Sequence, residues 1–382
     1  MSADTPPTRS PHAPTTTSIG AADRDPTRAL APYVEEGALA GAVTLVASRE
    51  GVLSHGAVGW SNIERRIAMR PDSFFWIASM TKPMTAVAVM MLVDEGKLNL
   101  DDPVEKHLGD FTGMRVVAES SEERTVLVPA ARPITLRDCL CHVSGLPFLA
   151  RPERGKIDVL WPREAAIAYA MSPLLFQPGT KYEYSNVGIN TAARILEVVS
   201  GAQYHEFMQG RLLDPLGMTD TTFWPTSEQL GRLATAYQPA EDGSGLVERT
   251  GEFFTYPLGD HSRAPCPAGG YFSSAADVGR FCRMVLRGGE LDGVRYLSEA
   301  AVGEMTRKQT GDLETSYGLG WAVDPAGRGF GHGGAAATDM WVHTRTGLAM
   351  VYLVQHAGYA CEDGEKILPT FRAAAAAFGE QT

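Results

Sequence analysis

Apolar residues in this chain of 382 come in runs whose period changes along the sequence. From Ala40 to Ser48, AGAVTLVAS is almost continuously apolar and rich in Val and Thr; Glu50-Gly51 breaks it, and Val52 to Gly59 resumes. Two such runs around a Gly-containing break predict a β-hairpin. Met84 to Val93 then reads as a helix that Gly96 stops. Asp101-Asp102-Pro103 opens a mostly irregular region. TLRDCLCHVSGL predicts a helix with Thr135 as N-cap, Asp138 in its first turn and its end at Ser144-Gly145. PREAAIAYAM and VGINTAARILEVVSG predict two more helices, so the middle of the chain is mostly helical. In the last third, SSAADVGRFCRMVLRGG and SEAAVGEMTRKQ (Ser298 as N-cap) are helices. YGLGWAVD, DMWVHT and GLAMVYLVQ are strand-like between Gly-rich turns, and FRAAAAAFG closes the chain as a helix.

Strands at both ends and helices between them predict a mixed α/β (α+β) class: one antiparallel sheet built from both termini, with a helical insertion. Residues 1–26 are rich in Pro, Thr, Ser and Ala and predict a disordered tail. The α/β part then covers about 27–75 and 262–382, and the helical part about 76–261.

A hydrophobic content of 44% is ample for a large core. The formal net charge of -11, with no Lys/Arg block, makes nucleic acid and anionic membranes poor partners. No run approaches the roughly 18 apolar residues a membrane span needs, and the first residues lack the apolar core of a secretory signal. The five cysteines (139, 141, 266, 282, 361) are odd in number and irregularly spaced, as expected of reduced thiols. The expectation is a cytoplasmic protein acting on a small molecule, its oligomeric state open.

WIASMTK, residues 76–82, puts Ser79 and Lys82 three apart at a helix start, hence on one face. Pro83 fits the first turn. The positive end of the helix dipole and burial both disfavour the lysine charge, and a neutral amine can take a serine proton. The ordinary alternative, a capping serine and a solvated lysine, is the better reading of the tetrapeptide by itself. Two further elements follow in order: Tyr184-Ser185-Asn186 at the start of a helix, and His332-Gly333-Gly334 where a strand is predicted.

With S-x-x-K, Y-x-N and H-G-G in this order, the chain resembles the serine β-lactamase and penicillin-binding-protein superfamily. It is most similar to the class C-like branch of family VIII carboxylesterases, D-aminopeptidases and D-stereospecific amidases. PITLRDCLCHVSGLP, LLDPLGMTDTTF and PAGGYFSSAADVGRF carry the likeness too, which runs from about Leu39 to Phe378. The resemblance implies a β-lactamase-like fold with its cleft between the sheet part and the helical part. It implies Ser79 as the acylated nucleophile and Lys82 as the group assisting its deprotonation. Tyr184 would be the second half of the acid/base pair, its pKa lowered by the neighbouring cation. Asn186 would bond Lys82 or the substrate acyl group, and the backbone N–H groups of Ser79 and Ala335 would form the oxyanion hole. Gly333, Gly334 and Ala335 are small enough for a substrate to approach that strand. Tyr317 and Trp341, near it, are candidate substrate contacts.

His332 stands where the penicillin-recognising pattern has lysine. A histidine is largely neutral at pH 7, which favours neutral esters or amides over carboxylate-bearing substrates. The implied activity is a serine hydrolase cleaving small esters through an acyl-enzyme. D-aminopeptidase, amidase, weak β-lactamase and acyltransferase readings use the same residues, and a non-catalytic relative would be expected to have lost one of them. No cofactor and no metal are expected: CLCH at 139–142 falls in a helix pattern with no second ligand cluster. GHGG lacks the G-x-S-x-G elbow of α/β-hydrolases.

Overall fold

The computed structural model describes residues 17–19, 25–153, 155–249 and 253–379. Its central layer is an antiparallel sheet of β1 (Thr17–Ile19), β2 (Gly41–Ala47), β3 (Val52–Asn62), β4 (Ala322–Val323), β5 (Gly329–Gly333), β6 (Asp339–His343) and β7 (Leu348–Leu353). The order is β1-β3-β2-β7-β6-β5-β4, and Ile67–Ala68 pairs with β3 off this path. The two ends of the chain meet where β2 lies against β7, Val43 opposite Leu353 and Ala47 opposite Ala349. The mixed fold is therefore the expected one, with its sheet drawn from both termini. Every residue of β2 and β7 is buried. Both strands are covered on two faces, which is why they read as continuous apolar runs and not as an alternation.

The helices that matter here are α1 (Thr81–Asp94), α2 (Leu136–Leu140), α3 (Pro162–Ala170), α4 (Asn186–Ser200), α5 (Ala275–Leu286), α6 (Glu299–Thr306) and α7 (Ile367–Ala376). On one face of the sheet, Phe371 of α7 and Leu30 pack with Met350 and Tyr352. On the other, α5 and α1 join the helical region in the main core, with Leu45, Val351, Phe281 and Met340. Gly279 of α5 lies so close to the sheet that a Cβ there would sit 2.8 Å from the Leu45 side chain. Twelve of the fourteen residues of α1 are buried. A helix apolar on all sides belongs in the interior, and α1 runs through the centre of the molecule.

The structure departs from the sequence pattern in three places. First, α2 has Thr135 as its expected N-cap, and the structure completes a capping box, Thr135 Oγ1 accepting from the Asp138 N–H and Asp138 Oδ2 from the Thr135 N–H. It stops at Leu140, however, because Cys141 leaves helical geometry and His142 has φ +63°. Second, the region expected to be irregular contains a hairpin, Arg115–Ser120 with Thr125–Pro129. Its residues are mostly exposed, so no apolar alternation marks it. Third, Thr17–Ile19, assigned to the tail, pairs with His55–Ala57, and Asp25 to Thr27 are buried. The rest of the expected tail lies outside the described residues. Among the described residues no helix is long and apolar enough to cross a membrane.

Candidate active site

The turn that presents Ser79 carries backbone strain and is held by hydrogen bonds. Phe75–Trp76 pairs with Phe272–Ser273, and the Ile77 N–H donates to Tyr271 O. Ala78 then takes φ +47°, a region that costs a non-glycine residue roughly 1 kcal/mol or more. Thr81 secures the turn, its hydroxyl donating to Ala78 O at 2.7 Å and accepting from the Tyr271 N–H at 3.2 Å. A 3-10 turn over Ala78–Met80 leads into α1. Ser79 is thus half-buried at the helix start, and Lys82, one turn on, is fully buried.

Lys82 Nζ lies 3.0 Å from Ser79 Oγ, donates to the Ala268 carbonyl at 2.6 Å, and sits 4.6 Å from the Tyr184 ring centre. Burial lowers its pKa from 10.5 to about 7. At neutral pH a large share of the amine is therefore uncharged, with a lone pair free to accept a proton.

Tyr184 precedes α4, whose N-cap Ser185 accepts from the Gly188 N–H at 2.9 Å. The expectation of a lowered tyrosine pKa is corrected. Burial dominates and raises it, opposed by a hydrogen bond with Ser79. Tyr184 is a neutral phenol, its hydroxyl 3.5 Å from His332 Nε2.

The tautomer of His332 follows from its partners. Nδ1 is 2.6 Å from Gly333 O, which can only accept, so Nδ1 carries the hydrogen. Nε2 then accepts from the Tyr317 hydroxyl at 2.9 Å. Burial, and after it the Lys82 charge, push the imidazole down to about 3. His332 is a neutral wall of the site.

Tyr317 is buried with its hydroxyl committed to His332, so it braces that ring. Trp341 is not in the cleft, which corrects that expectation. It pairs with Gly331, not His332, and neighbouring residues on a strand face opposite ways. Its ring lies under Arg372 of α7 at 4.7 Å, on the far side of the sheet. Asn186 opens α4 but makes no bond to Lys82. Its Oδ1 is buried and unpaired among the described residues.

The H-G-G end of β5 presses on the nucleophile turn. A Cβ at Gly334 would meet Thr338 Oγ1 at 2.1 Å and Ile77 O at 2.6 Å, so only glycine allows the approach. Thr338 ties the two segments, its hydroxyl donating to Ile77 O at 3.3 Å. Ala335 is thereby brought alongside the Ala78–Ser79 turn, whose first amides have no partner inside the helix.

A cavity of about 480 Å³ adjoins the site, lined by Trp76, Leu233, Phe254, Leu258, Phe272 and Ala335 among others. Ser79 is not among its lining residues; Trp76 and Ala335 connect the two. Among the described residues, no group of three or more His, Cys, Asp or Glu is placed to hold a metal ion.

The family model described as Beta-lactamase matches residues 27–370. The chain belongs to the beta-lactamase family. It is a serine hydrolase of that superfamily. It is 34% identical over 315 residues to Protein Rv1367c of Mycobacterium tuberculosis, covering 80% of this chain and 77% of that protein. It is 28% identical over 338 residues to a lovastatin esterase of Penicillium rubens, covering 78% and 81%. Among solved structures, simvastatin synthase from Aspergillus terreus superposes with a TM-score of 0.77 at 20% identity, covering 92% of this chain and 98% of that one.

The structure also brings in residues to which the sequence reading gave no role at the nucleophile. His142 is fully buried, with ring centres 4.5 Å from Tyr184 and 4.7 Å from Tyr317. Its Nδ1 accepts from the Ser185 N–H at 3.2 Å, and its Nε2 has no partner among the described residues. Phe148, 52% exposed, stacks on Tyr184 at 6.2 Å and forms a lip. Ala268 acts through its carbonyl, which no side chain announces.

Proposed function

We propose that the protein is a serine carboxylesterase acting through an acyl-enzyme on Ser79. The observation that carries this is the buried Lys82 amine, 3.0 Å from Ser79 Oγ and with its pKa near 7. As Ser79 Oγ bonds the ester carbonyl carbon, its proton passes to Lys82. The resulting oxyanion lies against the N–H groups of Ser79 and Ala335. Tyr184, a neutral phenol, gives its proton to the leaving alcohol as the C–O bond breaks, and the Lys82 proton replaces it. Water then enters by the reverse path and frees the acid.

Neutral His332 provides no counter-charge for a substrate carboxylate, which supports neutral esters. The aromatic-lined cavity beside Ala335 supports an ester with a substantial apolar half. The lovastatin esterase relative points the same way.

The test is a side-by-side rate assay on p-nitrophenyl acetate and butyrate, nitrocefin and D-alanine p-nitroanilide. Ester turnover well above the other two supports the esterase reading. Preference for the lactam or the D-amide replaces it with a peptidase-side activity.

The pH profile is a separate prediction. Lys82 must be neutral to accept the proton, so kcat/KM should fall about tenfold per pH unit below an inflection near 7. His142 and His332 are both held far below their usual range and should add no inflection of their own there. A profile flat from about pH 5.5 to 8.5 would exclude Lys82 as the base.

A further inference from the structure

The interior behind Lys82 holds a run of polar groups that the reaction does not use. Lys82 Nζ donates to Ala268 O at 2.6 Å. The Ala268 N–H donates to Asn190 Oδ1 at 3.0 Å, Asn190 Nδ2 to the Tyr169 hydroxyl at 3.0 Å, and that hydroxyl to Glu153 Oε1 at 2.9 Å. Glu153 Oε2 accepts from the Ala150 N–H at 2.6 Å. Asn190, Tyr169 and Glu153 are all buried.

The direction of this chain is not arbitrary. A backbone N–H at one end can only donate, which turns the Asn190 carbonyl oxygen toward Ala268 and its NH₂ toward Tyr169. The tyrosine oxygen is then an acceptor, and its hydrogen must go to the carboxylate, which accepts. Each bond fixes the sense of the next. A second clamp holds the same loop, since the Thr85 hydroxyl, one turn after Lys82, donates to Pro267 O at 2.6 Å. The Pro267–Ala268 peptide is therefore gripped at both its oxygen and its nitrogen. Trp76 Nε1 holds the next carbonyl, Gly269 O, at 2.7 Å.

We propose that Glu153, Tyr169 and Asn190 are positioning residues. Their hydrogen-bonded chain fixes the Ala268 carbonyl as the second partner of Lys82 and so keeps the amine aimed at Ser79. None of the three touches Ser79 or Lys82 directly. They sit on the Arg151–Glu153 turn, α3 and α4, so the chain ties the helical region to the catalytic lysine. This rests on the reading of Ser79 as nucleophile.

The titratable groups that interact with Lys82 are Cys266, His142 and His332, together with Tyr184 under its amine. Burial raises Cys266 to about 12 and also raises Tyr184, and both histidines stay neutral. A change in the acid limb of Ser79 reactivity therefore reports on Lys82.

The experiment measures the rate at which a fluorophosphonate labels Ser79 between about pH 5 and 9, in wild type, Tyr169→Phe and Asn190→Leu, with a thermal melt of each. A carbonyl partner stabilises an ammonium more than an amine, so losing it should move the midpoint of the acid limb to lower pH by about half a unit. Labelling at pH 7 should drop about tenfold in folded protein, because the amine loses its aim. Wild type that is not labelled at all would sink the nucleophile reading, and this inference with it. A labelled wild type with folded variants that match it in rate and midpoint would overturn the inference alone. So would a loss of rate that merely follows the loss of folded protein with the midpoint unmoved. Tyr169→Phe keeps the shape of the side chain and carries the test if Asn190→Leu does not fold.

Discussion

Ser79→Ala is expected to lower ester turnover by at least about 10⁴-fold while leaving the fold intact. Ser79 Oγ lies 3.0 Å from the lysine amine, and its carbon side chain contributes little packing because the residue is half-buried. Removing Oγ leaves Lys82 its bond to Ala268 O and Tyr184 its contact with His332. The change in stability should stay within about 1 kcal/mol. Whatever activity remains would come from the oxyanion site acting on bound ester with water as nucleophile. The measurement is kcat/KM on p-nitrophenyl butyrate, with a melting curve of the same preparation. A well-folded variant that kept more than about 1% of the wild-type value would remove Ser79 from the reaction.

The part of the site that could be read from the sequence sits at the ends of elements. Ser79 lies in the turn that leads into α1 and Lys82 in its first turn, Tyr184 and Asn186 flank the start of α4, and His332 and Gly333 end β5. Helix starts and strand ends carry local signals such as caps, proline and glycine, and their spacing by three or by one sets which residues share a face. Trp341 and Tyr317 show where that reasoning stops. Alternation along a strand separates two faces but does not say which one meets the cleft, and Trp341 went to the α7 side. Tyr317 did reach the site, but buried behind His332 and not facing a ligand.

Ala268 lay beyond any such reading, because what it contributes is a main-chain carbonyl. Asn190 did leave a trace, a carboxamide one turn after Asn186 in an otherwise apolar helix face. A polar group there must be satisfied from the interior. The exposed hairpin was missed for the opposite reason: it buries almost nothing, so it imposes no hydrophobic period.

The same burial that makes Lys82 useful makes it a burden on the fold. Its pKa of about 7 in the folded chain, against 10.5 in the open, corresponds to roughly 5 kcal/mol of penalty for holding the charge inside. The folded value is the lower one, so between about pH 7 and 10.5 the unfolded chain binds more protons and stability rises with pH. Below about 7 both states are protonated and the full penalty remains. Lys82→Met, close in volume and without charge, is therefore expected to cut turnover by about 10³-fold or more and yet raise Tm by about 2–4 °C at pH 6. The gain is partly offset because the buried Ala268 carbonyl loses its donor, a cost of about 1–3 kcal/mol. It should shrink steadily toward pH 10, where the wild-type lysine is neutral in the folded state and has begun to lose its proton in the unfolded one. Melting curves of both proteins at pH 6, 8 and 10 test this. A Tm for Lys82→Met below wild type at every pH would mean that the lysine is held by bonds stronger than the penalty of its burial. An increase in the gain with pH would reverse the sign of the lysine's shift and withdraw Lys82 as a neutral base at pH 7.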